Sequence, residues 1–110
     1  MMLGQKLIEN MTPKMADFKL SHLAFEDLKD IAKYTRHNYG AAQSQKYRAS
    51  LKASCEALSQ HPSLGHEATV AQGLRAFDHQ FHTIYYVPTD KGVLIVRILH
   101  QSMDARRHLT

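Results

Sequence analysis

Apolar residues recur every three or four positions in the first half of the chain and nearly every second position in the last third. Leu23, Ala24, Leu28, Ile31 and Ala32 keep helical spacing and predict a helix that opens after an N-cap at Ser21 and runs out near Tyr34 and Thr35. Its acids (Glu26, Asp27, Asp30) precede its bases (Lys33, Arg36, His37), the order favoured by the helix dipole. Gly40 is placed to close it in a left-handed conformation. A second helix is predicted over Ala41–Gln60, with Tyr47, Leu51, Cys55 and Leu58 on one face. Pro62 forbids its continuation, and Ser63-Leu64-Gly65 begins a loop. So short a link folds the two helices into an antiparallel hairpin.

Beyond Gly73 the period shortens. LRAFDHQ (74–80), FHTIYYVP (81–88) and VLIVRILH (93–100) read as three strands of an antiparallel meander, with turns at Asp78-His79-Gln80 and Thr89-Asp90-Lys91-Gly92. The last strand is apolar almost throughout and is expected to be central. Phe18 to Leu20 could open the sheet, giving the order β-α-α-β-β-β. The expected fold is α+β, a helical hairpin packed on a small antiparallel sheet of four strands. Residues 1–14 (MMLGQKLIENMTPK) hold Leu3, Leu7, Ile8 and Met11 at helical spacing until Pro13 ends the pattern. They are expected to be a flexible extension, with 15–110 a single domain and Met15-Ala16 a second possible translation start.

Composition changes this picture little. With 44% hydrophobic and 22% charged residues, the 110-residue chain is ordinary for one soluble domain. The net charge of +4 permits a polyanionic partner without requiring one. The bases group at Lys46, Arg48 and Lys52, read first as a solvated helix face, and at Arg106 and Arg107. The lone Cys55 falls on the apolar helical stripe and reads as a small buried hydrophobe. No apolar run is long enough to span a bilayer and no signal-peptide core is visible, so a cytoplasmic location without membrane contact is expected.

Eight histidines invite a metal or acid–base reading. Neither a His-Glu-x-x-His helix nor paired cysteines occur, so no metal and no cofactor is expected. A metal-free ribonuclease needs a base, an acid and a cation on the phosphate. His79, His82, Arg97 and His100 are its candidate residues, with Arg75 and Asp104 near enough in the strand pattern to contribute. Arg75 and Arg97 stand out because each interrupts an apolar strand, where a guanidinium must be paired or line a site. No nucleophile elbow and no phosphate-binding glycine loop is present.

Taken in order, LSHLAFEDLKDIAKYTRHNYG (20–40), LSQHPSLGH (58–66), GLRAF (73–77), HTIYY (82–86) and VRILHQSMD (96–104) resemble the ParE branch of the RelE/ParE superfamily, the toxin halves of bacterial type II toxin–antitoxin pairs. The likeness runs from about Phe18 to Asp104. It implies a small toxin that poisons DNA gyrase and blocks replication, held inactive in a hetero-oligomer with a cognate antitoxin. The sister branch cuts messenger RNA on the ribosome, and its full catalytic set is not evident here. A ribosome-dependent endoribonuclease is therefore the alternative, and a non-toxic relative acting as a regulatory partner is a third. On the gyrase reading no residue is catalytic. Placement then makes Arg75 and Arg97 candidate cations facing the target and His100 a candidate polar anchor. Tyr34, Tyr47 and Leu51 are candidates for a groove that takes an amphipathic antitoxin segment, disordered when free.

Overall fold

A computed structural model describes residues 17–109. The expected extension at 1–14 and the possible start at Met15 lie outside the described residues. Strand β1 (Asp17–Leu20) leads into helices α1 (His22–Tyr39) and α2 (Ala41–Gln60). A 3-10 turn (Pro62–Leu64) and strands β2 (His66–Glu67), β3 (Arg75–His79), β4 (His82–Thr89) and β5 (Gly92–His100) follow, and a short helix α3 (Ala105–Leu109) comes last.

Local chemistry explains both helix starts and stops. The Ser21 side chain accepts from the Ala24 N–H at 3.0 Å, and its hydroxyl donates to the Val96 carbonyl at 2.6 Å. One residue thus caps α1 and fastens it to β5. Gly40, at φ 93°, ends α1 by donating its N–H to Arg36 O and begins α2 by accepting from Ser44 N–H. A side chain at that φ would be strained, so the tight hairpin depends on glycine here. Helix α1 runs four residues past the end of its apolar stripe because residues 36–39 continue to solvent-exposed helix until Gly40 breaks it.

The sheet order is β1-β5-β4-β3-β2, so β5 is internal as its apolar content requires. Two expectations are corrected. The sheet is mixed rather than purely antiparallel, because β1 pairs parallel to β5 (Phe18 opposite Val93). It also has five strands, the fifth being the two-residue β2 on the β3 edge. Both meander turns are tighter than expected. His79 pairs with His82 and Thr89 with Gly92, leaving two-residue tips at Gln80-Phe81 and Asp90-Lys91. An irregularity opposite Tyr85 and Tyr86 takes the pairing from Arg97 directly to Ile95, so Val96 is the extra residue. Its carbonyl is the one that Ser21 occupies.

The core lies between the hairpin and the sheet. Ala24 and Ile31 of α1, with Tyr47, Leu51, Cys55 and Leu58 of α2, meet Ile84, Tyr86, Val93, Ile95 and Ile98. The helical stripe expected of α2 is therefore its core face. Tyr86 is fully buried, yet its hydroxyl is satisfied by donating to Pro62 O at 2.6 Å and accepting from Gly65 N–H at 3.0 Å. Gly65 has no room for more: a Cβ there would sit 2.5 Å from Ala76 O and 2.6 Å from the Tyr86 hydroxyl.

Candidate functional site

The concave surface lies where α1, the β3–β4 tip and the end of β5 converge. It is an open groove of about 990 Å³. One wall is the face of α1 carrying Asp27, Asp30, Ile31 and Tyr34, with Tyr39 further along. The spacing of three and four residues puts these side chains on one helical side. The opposite wall is Gln80 and Phe81 at the hairpin tip and Met103 after β5. Tyr47, His82, Ile98 and His100 also line it. Tyr34, Tyr39, Phe81 and Met103 are 63%, 68%, 64% and 40% exposed, four of the seven exposed large apolar side chains among the described residues gathered on one rim.

The register of β3, β4 and β5 brings three distant histidines together, since His82 pairs with both His79 and His100. The His82 and His100 rings meet edge to face at 5.3 Å. Tyr47 reaches the cluster from α2, its hydroxyl 2.7 Å from His82 Nδ1. The same hydroxyl lies 3.4 Å from the His79 carbonyl, so the His82 tautomer decides which of Tyr47 and His82 Nδ1 donates. Burial raises the Tyr47 phenol above its ordinary range. Burial likewise pushes His82 down to about 4, and repulsion from His100 and His79 adds to it against the opposing pull of Asp27. At neutral pH His82 is therefore an uncharged imidazole.

His79 is held on the far side by α2. Ser50 donates its hydroxyl to Tyr47 O at 2.8 Å, so its oxygen accepts from His79 Nε2–H at 3.0 Å. Ser54 then donates to His79 Nδ1 at 2.9 Å. Both ring nitrogens are engaged, and burial lowers the pKa. His100 is exposed and accepts at Nδ1 from the Ser102 N–H at 3.1 Å.

The two arginines flagged by their strand positions are committed inside the molecule. Arg97 donates from Nε and Nη2 to the Asp27 carboxylate at 2.8 and 2.9 Å, a two-pronged pair 13% and 12% exposed. Asp27 also accepts from the Ile98 N–H at 2.9 Å, and Arg97 Nη1 donates to His108 O at 3.2 Å. The pair therefore joins α1, β5 and α3, and the hydrogen bond to Asp27 raises the guanidinium pKa further. Arg75 donates to the carbonyls of Ser63 and Gly65 and approaches the Tyr86 hydroxyl, tying β3 to the 3-10 turn.

Of the sequence candidates, Tyr34, Tyr47, His82 and His100 share the groove, while His79 and Arg75 do not line it. Leu51 is a correction: it is 0% exposed, inside the core between α2 and the sheet, and offers nothing to a partner. The lone Asp104 accepts from the Arg106 N–H at the start of α3. Tyr39, Phe81, Asp30 and Met103 were missed as groove residues. Phe81 carried a signal, since an aromatic at a two-residue hairpin tip cannot be buried by its own strand pair. Ser50 and Ser54 were also missed, although their four-residue spacing places them on one side of α2. Among the described residues, the groove lining holds no Lys or Arg and no group of three metal ligands occurs. No described helix is long and apolar enough to cross a membrane.

A helical hairpin on a small mixed sheet, with a groove between hairpin and β-tip, defines the RelE/ParE class of α+β proteins. The fold aligns with the chromosomal ParDE TA system from P. aeruginosa at a TM-score of 0.70 and 19% identity, over 78% of this chain and 96% of that one. The YoeB–YefM complex from Staphylococcus aureus aligns at 0.51 and 16% identity, over 77% and 95%. Residues 18–105 match the ParE toxin of type II toxin–antitoxin system, parDE, and the chain belongs to that family. Toxin ParE1 of Caulobacter vibrioides is 35% identical over 96 residues, 86% of this chain and 99% of that protein. Toxin ParE1 of Mycobacterium tuberculosis is 30% identical over 94 residues, 84% and 96% respectively.

Proposed function

We propose that this ParE-family toxin inhibits DNA gyrase, and hence replication, by binding it without chemistry of its own, and that a cognate antitoxin neutralises it by occupying the groove. The observation that carries the reading against a nuclease is that, among the described residues, the groove lining holds no Lys or Arg. A phosphodiester needs a free positive charge beside its acid and base. Arg97 is paired with Asp27 and does not line the groove, and the lining itself carries the carboxylates of Asp27 and Asp30. His82 is neutral and hydrogen-bonded to Tyr47, and His79 has both nitrogens bound to serines. The exposed aromatic rim instead suits the apolar side chains of an ordering peptide segment. The two solved relatives that support an antitoxin partner are a ParDE system and a YoeB–YefM complex.

The second reading, cleavage of messenger RNA on the ribosome, is favoured by one feature, the His82–His100 pair facing the groove. Induction in growing cells separates the two. DNA synthesis, followed by thymidine incorporation, is expected to stop first, with abundant transcripts uncut by primer extension. Early transcript cleavage with continuing DNA synthesis would replace the proposal with the nuclease. Unimpaired growth would point to a non-toxic regulatory relative.

A further inference from the structure

The groove has one charged feature that the fold does not use. Asp27 and Asp30 both line it, but they differ in state. Asp27 accepts from two nitrogens of Arg97 and from the Ile98 N–H, and its charge is balanced. Asp30 is exposed, lies one helical turn further along α1, and forms no ion pair or hydrogen bond among the described residues. Tyr34 follows four residues later on the same helical side and is 63% exposed. An unpaired carboxylate beside an exposed phenol ring, on a lining without Lys or Arg, selects a cation.

We infer that Asp30 and Tyr34 form a subsite for one basic side chain, an arginine or lysine, of the segment that fills this groove. The inference rests on the antitoxin reading above and adds the charge of the residue that makes the segment specific. The cation sits between the Asp30 carboxylate and the Tyr34 ring face, gaining an ion pair and a cation–π contact. The apolar side chains of the same segment lie on Phe81 and Met103 across the groove. His82 lines the same groove uncharged and so places no competing cation beside the occupant. A segment with an acidic residue at that position meets a like charge and is disfavoured.

The test uses the full-length toxin and the antitoxin obtained by co-expressing it, with Kd measured by titration at two salt concentrations. Asp30→Asn is expected to weaken binding roughly tenfold and Asp30→Lys roughly a hundredfold, while Asp30→Glu stays within about threefold of the parent. Because Asp30 is exposed and forms no ion pair or side-chain hydrogen bond among the described residues, all three variants are expected to keep the parent circular dichroism spectrum. The parent complex loses more affinity than Asp30→Asn when salt is raised. Changing the antitoxin's basic residues to Glu one at a time identifies one that restores binding to Asp30→Lys. Phe81→Ser separates the two levels of the argument. If Phe81→Ser weakens binding but Asp30→Lys does not, the basic subsite is wrong and the groove stands. If neither has an effect, the groove reading itself fails.

Discussion

Removing the Asp27 carboxylate tests whether the Arg97 pair holds the fold or faces a target. Asp27→Ala leaves a guanidinium 13% exposed without its partner and deprives the Ile98 N–H of its acceptor. Breaking a buried pair from one side costs about 3–5 kcal/mol, and the residual exposure of this pair places the loss near ~3 kcal/mol. A domain this small has a total stability of about 5–15 kcal/mol, so the change is large. With a urea m-value of about 2 kcal/mol/M, the midpoint falls by about 1.5 M. Since the chain has no Trp, far-UV circular dichroism is the suitable probe. The double variant Asp27→Leu, Arg97→Met removes both charges and is expected to recover most of the loss, short of about 1 kcal/mol for the Ile98 N–H. A single-variant cost below about 1 kcal/mol, the range of solvent-exposed pairs, would refute the reasoning. So would a double variant as unstable as the sum of the two singles. The same protein decides the other role: growth arrest by a stable double variant means Arg97 is structural, and its loss makes Arg97 a target contact.

Three further outcomes follow from the geometry. His82 and His79 have folded pKa values below the ordinary histidine range, so the unfolded chain takes up their protons first. Stability is therefore complete above that range and is lost as pH falls through it toward about 4, by at most about 1.4 kcal/mol per pH unit for each ring and less for partial exposure. Urea midpoints of parent and His82→Gln should converge across this window, and parallel profiles would contradict it. Gly65→Ala puts a Cβ against Ala76 O and the Tyr86 hydroxyl, costing about 1–3 kcal/mol and lowering Tm by several degrees. An unchanged Tm would show that the turn yields freely. Phe81→Ser, at an exposed tip, is expected to leave Tm within about 2 °C while weakening antitoxin binding at least roughly tenfold in the same titration.

What the sequence reveals of this fold is what local chemistry controls. Ser21, Gly40 and Pro62 carry their capping and stopping roles in their own side chains, so the helical hairpin is legible residue by residue. The last three strands show in their period. The direction of β1 does not, because the first strand has no local signal for whether it will run along or against β5. Two-residue β2 and five-residue α3 are too short to show a period. At the site, a lone arginine in an apolar strand announced that Arg97 needs a partner, but not that Asp27, seventy positions earlier, supplies it. Leu51 and Tyr47 share one stripe of α2. Both enter the core, and only the packing of that helix on the sheet shows that the Tyr47 hydroxyl also reaches His82.

Purified DNA gyrase, relaxed plasmid and ATP give the most direct test of the central proposal. Stoichiometric toxin is expected to abolish supercoiling, and prior addition of the antitoxin to restore it. Full supercoiling at a large excess of folded toxin would contradict the account.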